Sequence, residues 1–164
     1  MTRVIASFLY VGYLRPGPGT WGSLAALPFG YLIHVAGGFP LLVLATVVVF
    51  GLGWWAVGVE TAGKDDHDPS WIVVDEVAGQ WVALWPLSFG MWYMAQDPWV
   101  FPWPGWVGAF LMFRLFDIWK PGPVGWADRQ SGPMGVMLDD VIAGVLAALV
   151  VMAAAAVAHG VLMA

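Results

Sequence analysis

The charged side chains that can carry out chemistry are concentrated in one part of the sequence, between positions 114 and 140. They are Arg114, Asp117, Lys120, Asp128, Arg129, Asp139 and Asp140, and long apolar runs flank them on both sides. An ionised group at the edge of a hydrocarbon layer costs several kcal/mol unless it is paired with another charge or bound to an ion. This concentration of charge therefore indicates a functional site.

Part of this charge can be interpreted as a phosphate-binding site. The Pro- and Gly-rich segment 15–24 contains Thr20 and Ser23, whose hydroxyls and neighbouring N–H groups can bind phosphate oxygens. Arg114 and Lys120 can supply the cations that such a site needs. Segment 15–24 is expected to be an irregular turn that these two cations join.

A second group of residues can bind a metal ion. Hard cations such as Mg²⁺ prefer carboxylate oxygens, with water and substrate oxygens completing an octahedron. The candidate ligands are Asp75, Glu76, Asp139 and Asp140. A Mg²⁺ site beside a phosphate site predicts phosphoryl chemistry on a lipid, because the membrane delivers the lipid while the aqueous side delivers metal and water.

Each of these groups also has a purely structural interpretation. Segment 15–24 can be a simple turn, and both acidic pairs can begin helices, where the dipole favours negative charge. Arg114 and Asp117 are spaced as a structural ion pair on one helix. His67, in an acidic loop, is expected to be solvated and not a ligand. The functional interpretation rests on the joint occurrence of these groups at one membrane face.

The composition is that of a membrane protein. Of the 164 residues, 60% are hydrophobic and only 10% are charged, whereas about 25% are charged in soluble domains. One domain, residues 1–164, is the natural count for this length. The net charge of −5 argues against a nucleic-acid partner. With no cysteine, disulfides and thiolate metal sites are excluded.

The hydropathy pattern predicts an all-α integral membrane protein with about five transmembrane helices plus an N-terminal interfacial helix. The interfacial helix is expected at 4–14, with Arg3 and Arg15 as anchors, and is retained because no cleavage site follows it. The spans are expected at 21–36, 41–59, 77–95, 106–119 and 136–157, separated by turns or loops at 37–40, 60–71, 96–105 and 122–135. Residues 71–74 alone also suit a strand.

The acidic pairs are expected at the starts of their helices. Asp75 and Glu76 fall in the first turn of the third span, and Asp139 and Asp140 in the first turn of the last span. With the amino end in the cytoplasm, every basic residue lies on the cytoplasmic side, as the positive-inside rule requires. All carboxylates except Asp97 fall on that side too. The site is therefore expected to face the cytoplasm.

Three ordered motifs resemble the phosphatidylglycerophosphatase A family. They are Gly17-Pro-Gly-Thr-Trp-Gly-Ser-Leu24, the segment His67-Asp-Pro-Ser-Trp-Ile-Val-Val-Asp-Glu-Val-Ala-Gly-Gln-Trp81, and Phe113-Arg-Leu-Phe-Asp-Ile-Trp-Lys-Pro121 with Gly135-Val-Met-Leu-Asp-Asp-Val-Ile-Ala-Gly144. The resemblance implies a multi-pass enzyme of the bacterial cytoplasmic (inner) membrane. Such an enzyme hydrolyses phosphatidylglycerophosphate to phosphatidylglycerol and inorganic phosphate with Mg²⁺. Segment 131–135 is less Gly-rich than this family implies.

The resemblance also suggests roles for individual residues. Asp117, Asp139 and Asp140 are the candidate catalytic residues, and Asp117 either orients Arg114, completes the metal shell or acts as a base on the attacking water. We favour direct attack by water over an aspartyl-phosphate intermediate. Thr20, Ser23, Arg114 and Lys120 are the candidate phosphate-binding residues, and Asp75, Glu76, Asp139 and Asp140 the candidate metal ligands.

Two other functions remain open at this level. A small transporter or ion-conducting subunit can also carry paired carboxylates, although its charges should lie near mid-span and it often has an internal repeat. A phosphatase for another lipid phosphomonoester would use the same residues. The bilayer and the phospholipid substrate are the expected partners, and the oligomeric state, including a homo-oligomer, is left open.

Overall fold

A computed structural model of the chain describes residues 1–64, 66, 68–100 and 102–162, and the side chains of 159–162 are not described. Asp65 and His67 of the acidic loop therefore lie outside the described residues. The described part contains helices and no strand. The helices are α1 (Thr2–Ala6), α2 (Pro18–Thr61), α3 (Val74–Tyr93), α4 (Trp103–Trp119), α5 (Pro123–Asp128) and α6 (Pro133–Leu162), with a 3₁₀ turn at Val11–Tyr13.

Helix α2 reverses direction in the middle, at Gly37 and Gly38, where the backbone leaves helical geometry. Its first arm (18–36) and second arm (39–61) both return to the same end of α3, because Gly22 lies against Val73 and Gly53 lies against Val74. The reversal lies at the other end of α3, where Gly38 lies against Trp92. The predicted turn at 37–40 between two helical segments is thus present.

Replacing Gly38 with Ala is expected to destabilise this reversal. Gly38 has φ +65° and ψ −159°, a region that is essentially restricted to glycine and costs other residues about 1–3 kcal/mol. The added methyl group would also collide with the Trp92 ring. A lower midpoint of thermal unfolding in detergent is the expected result. Gly90→Ala is the matched control, since a methyl group there meets nothing within 4 Å.

Helix α3 is the centre of the fold and packs against α2, α4 and α6. Helix α4 runs antiparallel to it, because Gly105 lies against Leu87 whereas Phe113 lies against Gly79. Helix α6 contacts α3 backbone to backbone, where Gly144 lies against the Gly79 carbonyl. Glycine at both positions permits this close packing, because it has no side chain to separate the two backbones. This contact brings the acidic residues of α3 and α6 together.

Two predictions near the amino end are wrong. The 4–14 helix is broken, because α1 ends at Ala6 and the backbone then takes positive φ at Phe8, Leu9 and Tyr10. Segment 15–24 is not irregular throughout, since α2 begins at Pro18. Proline fits there because the first turn of a helix has no N–H bond to lose.

The boundaries near the last span also differ from the prediction. The 122–135 loop contains the short helix α5, and α6 begins at Pro133, so that Asp139 and Asp140 lie in its second turn. A helix-start role for this pair is thereby weakened, because the dipole acts within the first turn. Asp75 and Glu76 do lie in the first turn of α3, as predicted.

Two helices of the described part are long and apolar enough to cross a membrane, judged by length and composition. They are Pro18–Thr61 and the Pro133–Ala158 portion of α6. The described part of the fold is therefore all-helical, with two candidate membrane-spanning helices. One of them, α2, consists of two arms that run in opposite directions.

Candidate functional site

Most of the predicted polar residues line one cavity, at the end of the bundle where α3 begins. Its volume is about 190 Å³. The first turn of α2, the loop before α3 and the helices α3, α4 and α6 all contribute to its lining. The lining residues are Gly17, Pro18, Gly19, Asp68, Ser70, Ile72, Asp75, Glu76, Arg114, Asp117, Lys120, Asp139 and Asp140.

Three carboxylates in this cavity are close enough to share one cation. One oxygen atom from each of Asp75, Glu76 and Asp140 lies within 4.8 Å of the others. Asp75 and Asp140 are buried, and Glu76 Oε2 is enclosed without a hydrogen-bond partner. Like charges at this distance repel strongly away from water, so the group needs a compensating cation or protons. A hard divalent cation that binds oxygen ligands fits this set of donors.

Arg114 connects α4 to α2 beside these carboxylates. Its Nη1 atom lies 2.5 Å from Asp117 Oδ2 and donates a hydrogen bond to Ser23 Oγ at 3.4 Å. Ser23 Oγ in turn donates to the Gly19 carbonyl at 2.9 Å. The predicted Arg114 and Asp117 ion pair is therefore present. It also lines the cavity, so the guanidinium is held where an anionic ligand can reach it.

Gly19 provides a test of this arrangement, because a methyl group at this position would collide with Glu76 Oε1 and lie 3.3 Å from Arg114 Nη1. Gly19→Ala is expected to lower turnover about 100-fold, since a displacement of about 1 Å in a catalytic site can have that effect. Gly51→Ala is the matched control in the same helix, where a methyl group meets nothing within 4 Å. Phosphate release and thermal unfolding of both variants are the measurements. Equal turnover of the two variants would contradict the placement of Glu76.

Lys120 ends α4 in a left-handed conformation and reaches α5 and α6. Its Nζ atom donates to Asp128 and, at 2.8 Å, to Asp139 Oδ2. Burial acts to lower the pKa of Lys120, but these hydrogen bonds outweigh burial and raise it above its ordinary value. Asp139, the fourth predicted metal ligand, therefore faces Lys120, whereas its neighbour Asp140 faces the other carboxylates.

The two predicted hydroxyls do not lie in the cavity wall. Ser23 is fully buried beneath it and supports Arg114. Thr20 is half-buried within the first turn of α2. Its hydroxyl does not cap the helix, which has no side-chain cap at Gly17. The backbone of Gly17, Pro18 and Gly19 lines the cavity instead.

Two residues of the site were missed by the sequence interpretation. Asp68 and Ser70 line the cavity from the loop before α3, and only their place in the second motif pointed to them. Asp128 was counted among the concentrated charges but was given no role. It binds Lys120 from α5, which was expected to be loop.

Comparison with known proteins gives the family. The family model for phosphatidylglycerophosphatase A matches residues 4–155. Phosphatidylglycerophosphatase A of Escherichia coli (strain K12) is 39% identical over 135 residues, covering 80% of this chain and 70% of that protein. The protein of the same name from Haemophilus influenzae is 34% identical over 143 residues, covering 87% and 81%.

A third relative carries a different name. A Bacteroides thetaiotaomicron protein named as a candidate phosphatidylinositol-3-phosphatase is 33% identical over 141 residues, covering 82% of this chain and 80% of that protein. No solved structure gives a significant match. Since the family model covers nearly the whole chain and two relatives of that name align over most of their length, this chain belongs to the phosphatidylglycerophosphatase A family.

Proposed function

We propose that this protein hydrolyses phosphatidylglycerophosphate to phosphatidylglycerol and inorganic phosphate, in glycerophospholipid biosynthesis, with a bound Mg²⁺. The observation that carries the proposal is one cavity in which three clustered carboxylates lie beside Arg114 and Lys120. The family supports a lipid phosphomonoester as the substrate. A phosphomonoester needs both kinds of group, because its charge must be neutralised while a water molecule attacks phosphorus.

The reaction requires few steps from the side chains. The Arg114 guanidinium and Lys120 Nζ bind phosphoryl oxygens, and Asp117 holds the Arg114 guanidinium in the cavity through its Nη1 atom. The water oxygen forms a bond to phosphorus while the bond from phosphorus to the glycerol oxygen breaks. A cavity carboxylate accepts the proton that water loses and then returns it to the glycerol oxygen as that oxygen leaves. We keep direct attack by water as the proposed route.

Asp75, Glu76 and Asp140 would hold the cation, and Asp139 is adjacent to them on α6. When bound, Mg²⁺ polarises phosphoryl oxygens and lowers the pKa of water. The enclosed and unpartnered Glu76 Oε2 atom supports a ligand role for this residue. Lys120 neutralises Asp139. The charge of Asp139 therefore does not add to the repulsion among Asp75, Glu76 and Asp140.

We propose five membrane spans, formed by the two arms of α2 together with α3, α4 and α6. Large apolar side chains are exposed along these helices, for example Leu44, Leu111 and Leu149. Exposed aromatic residues occur at both ends of the bundle, with Trp119 and Trp126 near the cavity and Tyr93, Trp99 and Trp103 at the far end, which is typical of an aromatic belt. The basic residues belong to the cavity end, which supports a cytoplasmic orientation in the inner membrane.

The deciding experiment uses the purified protein in detergent micelles with phosphatidylglycerophosphate. Release of inorganic phosphate with Mg²⁺, its loss with a chelator and its recovery on adding Mg²⁺ back are the expected results. Phosphate release that a chelator does not affect would contradict the cation, and no release at any Mg²⁺ concentration would contradict the function.

A phosphatase for another lipid phosphomonoester is the second candidate, and the name of the Bacteroides thetaiotaomicron relative favours it. Competition between phosphatidylglycerophosphate and phosphatidylinositol 3-phosphate in the same assay separates the two functions. The transporter alternative is disfavoured because the charged residues of the cavity lie at one end of the bundle, and not near its middle.

A further inference from the structure

Gln80 is a fully buried amide that the mechanism above does not use. Its relative exposure is 0%, and neither Oε1 nor Nε2 has a hydrogen-bond partner. A buried polar group without a partner costs about 1–3 kcal/mol, so native proteins rarely keep one without a reason.

The helical arrangement shows where this amide lies. Successive residues of α3 are separated by about 100° around the helix. Leu87 faces α4 at Gly105, and Leu84 faces the first arm of α2 at Gly30. Gln80 projects between these two directions, into the seam where α4 meets the first arm. Arg114 contacts Ser23 across this same seam.

The position of Gln80 along α3 also places it next to the cavity. Glu76 and Gln80 are separated by four residues, so they lie on the same face of α3. Side chains on a helix lean towards its amino end, which directs the Gln80 amide towards Glu76 and the cavity. Gln80 is therefore directly beneath the carboxylate group.

Two other buried atoms of the site also lack a hydrogen-bond partner, and one is an acceptor while the other is a donor. Glu76 Oε2 is an acceptor without a donor, and Arg114 Nε is a donor without an acceptor. An amide supplies both functions, because its NH₂ group donates and its carbonyl accepts. From this geometry we infer that Gln80 is a positioning residue, whose amide links Glu76 to Arg114 through a bridging water molecule.

This link would couple the carboxylates that are proposed to bind the cation to the arginine that is proposed to bind the phosphoryl group. The amide would orient Glu76 for the cation and fix the guanidinium plane of Arg114 for the phosphoryl group. Hydrogen-bonding partners behind metal ligands typically change metal affinity about 10–100-fold when removed. The inference rests on the proposed function for its effect on turnover, but its effect on cation binding can be tested separately.

The test compares Gln80→Leu and Gln80→Asn with the wild type, using the full chain in detergent. Binding of Mn²⁺ alone, measured by titration calorimetry without lipid, is the first readout. Gln80→Leu is expected to weaken Mn²⁺ binding about 10-fold or more, and Gln80→Asn less, because it keeps the amide on a shorter side chain. In turnover, Gln80→Leu is expected to lower kcat more than it raises the KM for lipid.

Ser88→Ala is the control for a merely structural role. Ser88 is a buried polar residue at the far end of α3, hydrogen-bonded to His34 at 2.7 Å, so its loss is expected to affect stability and not Mn²⁺ binding. Mn²⁺ binding and kcat of Gln80→Leu within twofold of the wild type would overturn the inference, as would a wild type that binds no Mn²⁺. If Gln80→Leu does not fold, Gln80→Met, which keeps the length of the side chain but removes the amide, is judged by the same twofold criterion. A wild type that binds Mn²⁺ but releases no phosphate contradicts the proposed function alone.

Discussion

Asp140→Asn is expected to reduce phosphate release at least about 1,000-fold, because a change of about 4 kcal/mol in the barrier has this effect. Asp140 contributes one of the three clustered carboxylates and is the member that α6 supplies. Asparagine keeps the shape but removes the charge that attracts a divalent cation. Mn²⁺ binding should weaken in parallel, and both can be measured on the purified protein in detergent.

Two matched variants make this prediction specific. Asp97→Asn makes the same chemical change at an exposed position at the far end of the bundle, and it should leave turnover unchanged. Asp139→Asn removes the carboxylate that Lys120 binds at 2.8 Å, so a loss of about 10- to 100-fold is expected, in line with one charged hydrogen bond of about 1.5–3 kcal/mol. A larger loss for Asp139→Asn than for Asp140→Asn would reverse the assignment of the metal ligand on α6.

Arg114→Lys is expected to lower kcat/KM about 100- to 1,000-fold although the charge is kept. The guanidinium contacts both Asp117 and Ser23 from one planar group. Because Nη1 makes both contacts, the other guanidinium N–H groups remain for a phosphoryl group. A lysine ammonium has three donors on one atom, so it cannot keep both contacts and also bind a phosphoryl group through two hydrogen bonds. A loss of about 3–4 kcal/mol, near the lower end for two charged hydrogen bonds of about 1.5–3 kcal/mol each, corresponds to this magnitude.

Arg129→Lys is the control, because Arg129 is exposed after α5 and does not line the cavity. The variants should fold equally well, as judged by thermal unfolding in detergent. Turnover of Arg114→Lys within threefold of the wild type would show that this arginine is not the phosphate ligand, and Lys120→Met would then be the next variant to measure.

The order of helices and most of the cavity could be predicted from local patterns. Two adjacent glycines before Pro40 indicate a reversal, and Asp75 with Glu76 begins an apolar run, so both features follow from nearest neighbours. Charged residues that share one end of a bundle are expected to lie near one another, because charges at the edge of a membrane need partners. For this reason the sequence could group Arg114, Lys120 and the acidic pairs at one end.

The remaining details depend on contacts between distant residues. Nothing local shows that Asp139 faces Lys120 while Asp140 faces α3, since this depends on the crossing at Gly79 and Gly144. Gln80 is a polar residue within an apolar helix, and its role appears only once α4 and α2 are placed around it. Helix α5 was missed because six residues carry too weak a periodic pattern.

The contact between α3 and α6 has a consequence for biosynthesis. The carboxylate cluster combines residues 75 and 76 with residue 140, and the chain is made from its amino end. A ribosome must therefore translate some 64 further residues after the first two carboxylates before the third exists. If the cluster holds the cation as proposed, this order excludes premature hydrolysis by a half-inserted polypeptide, and activity begins when the last helix docks.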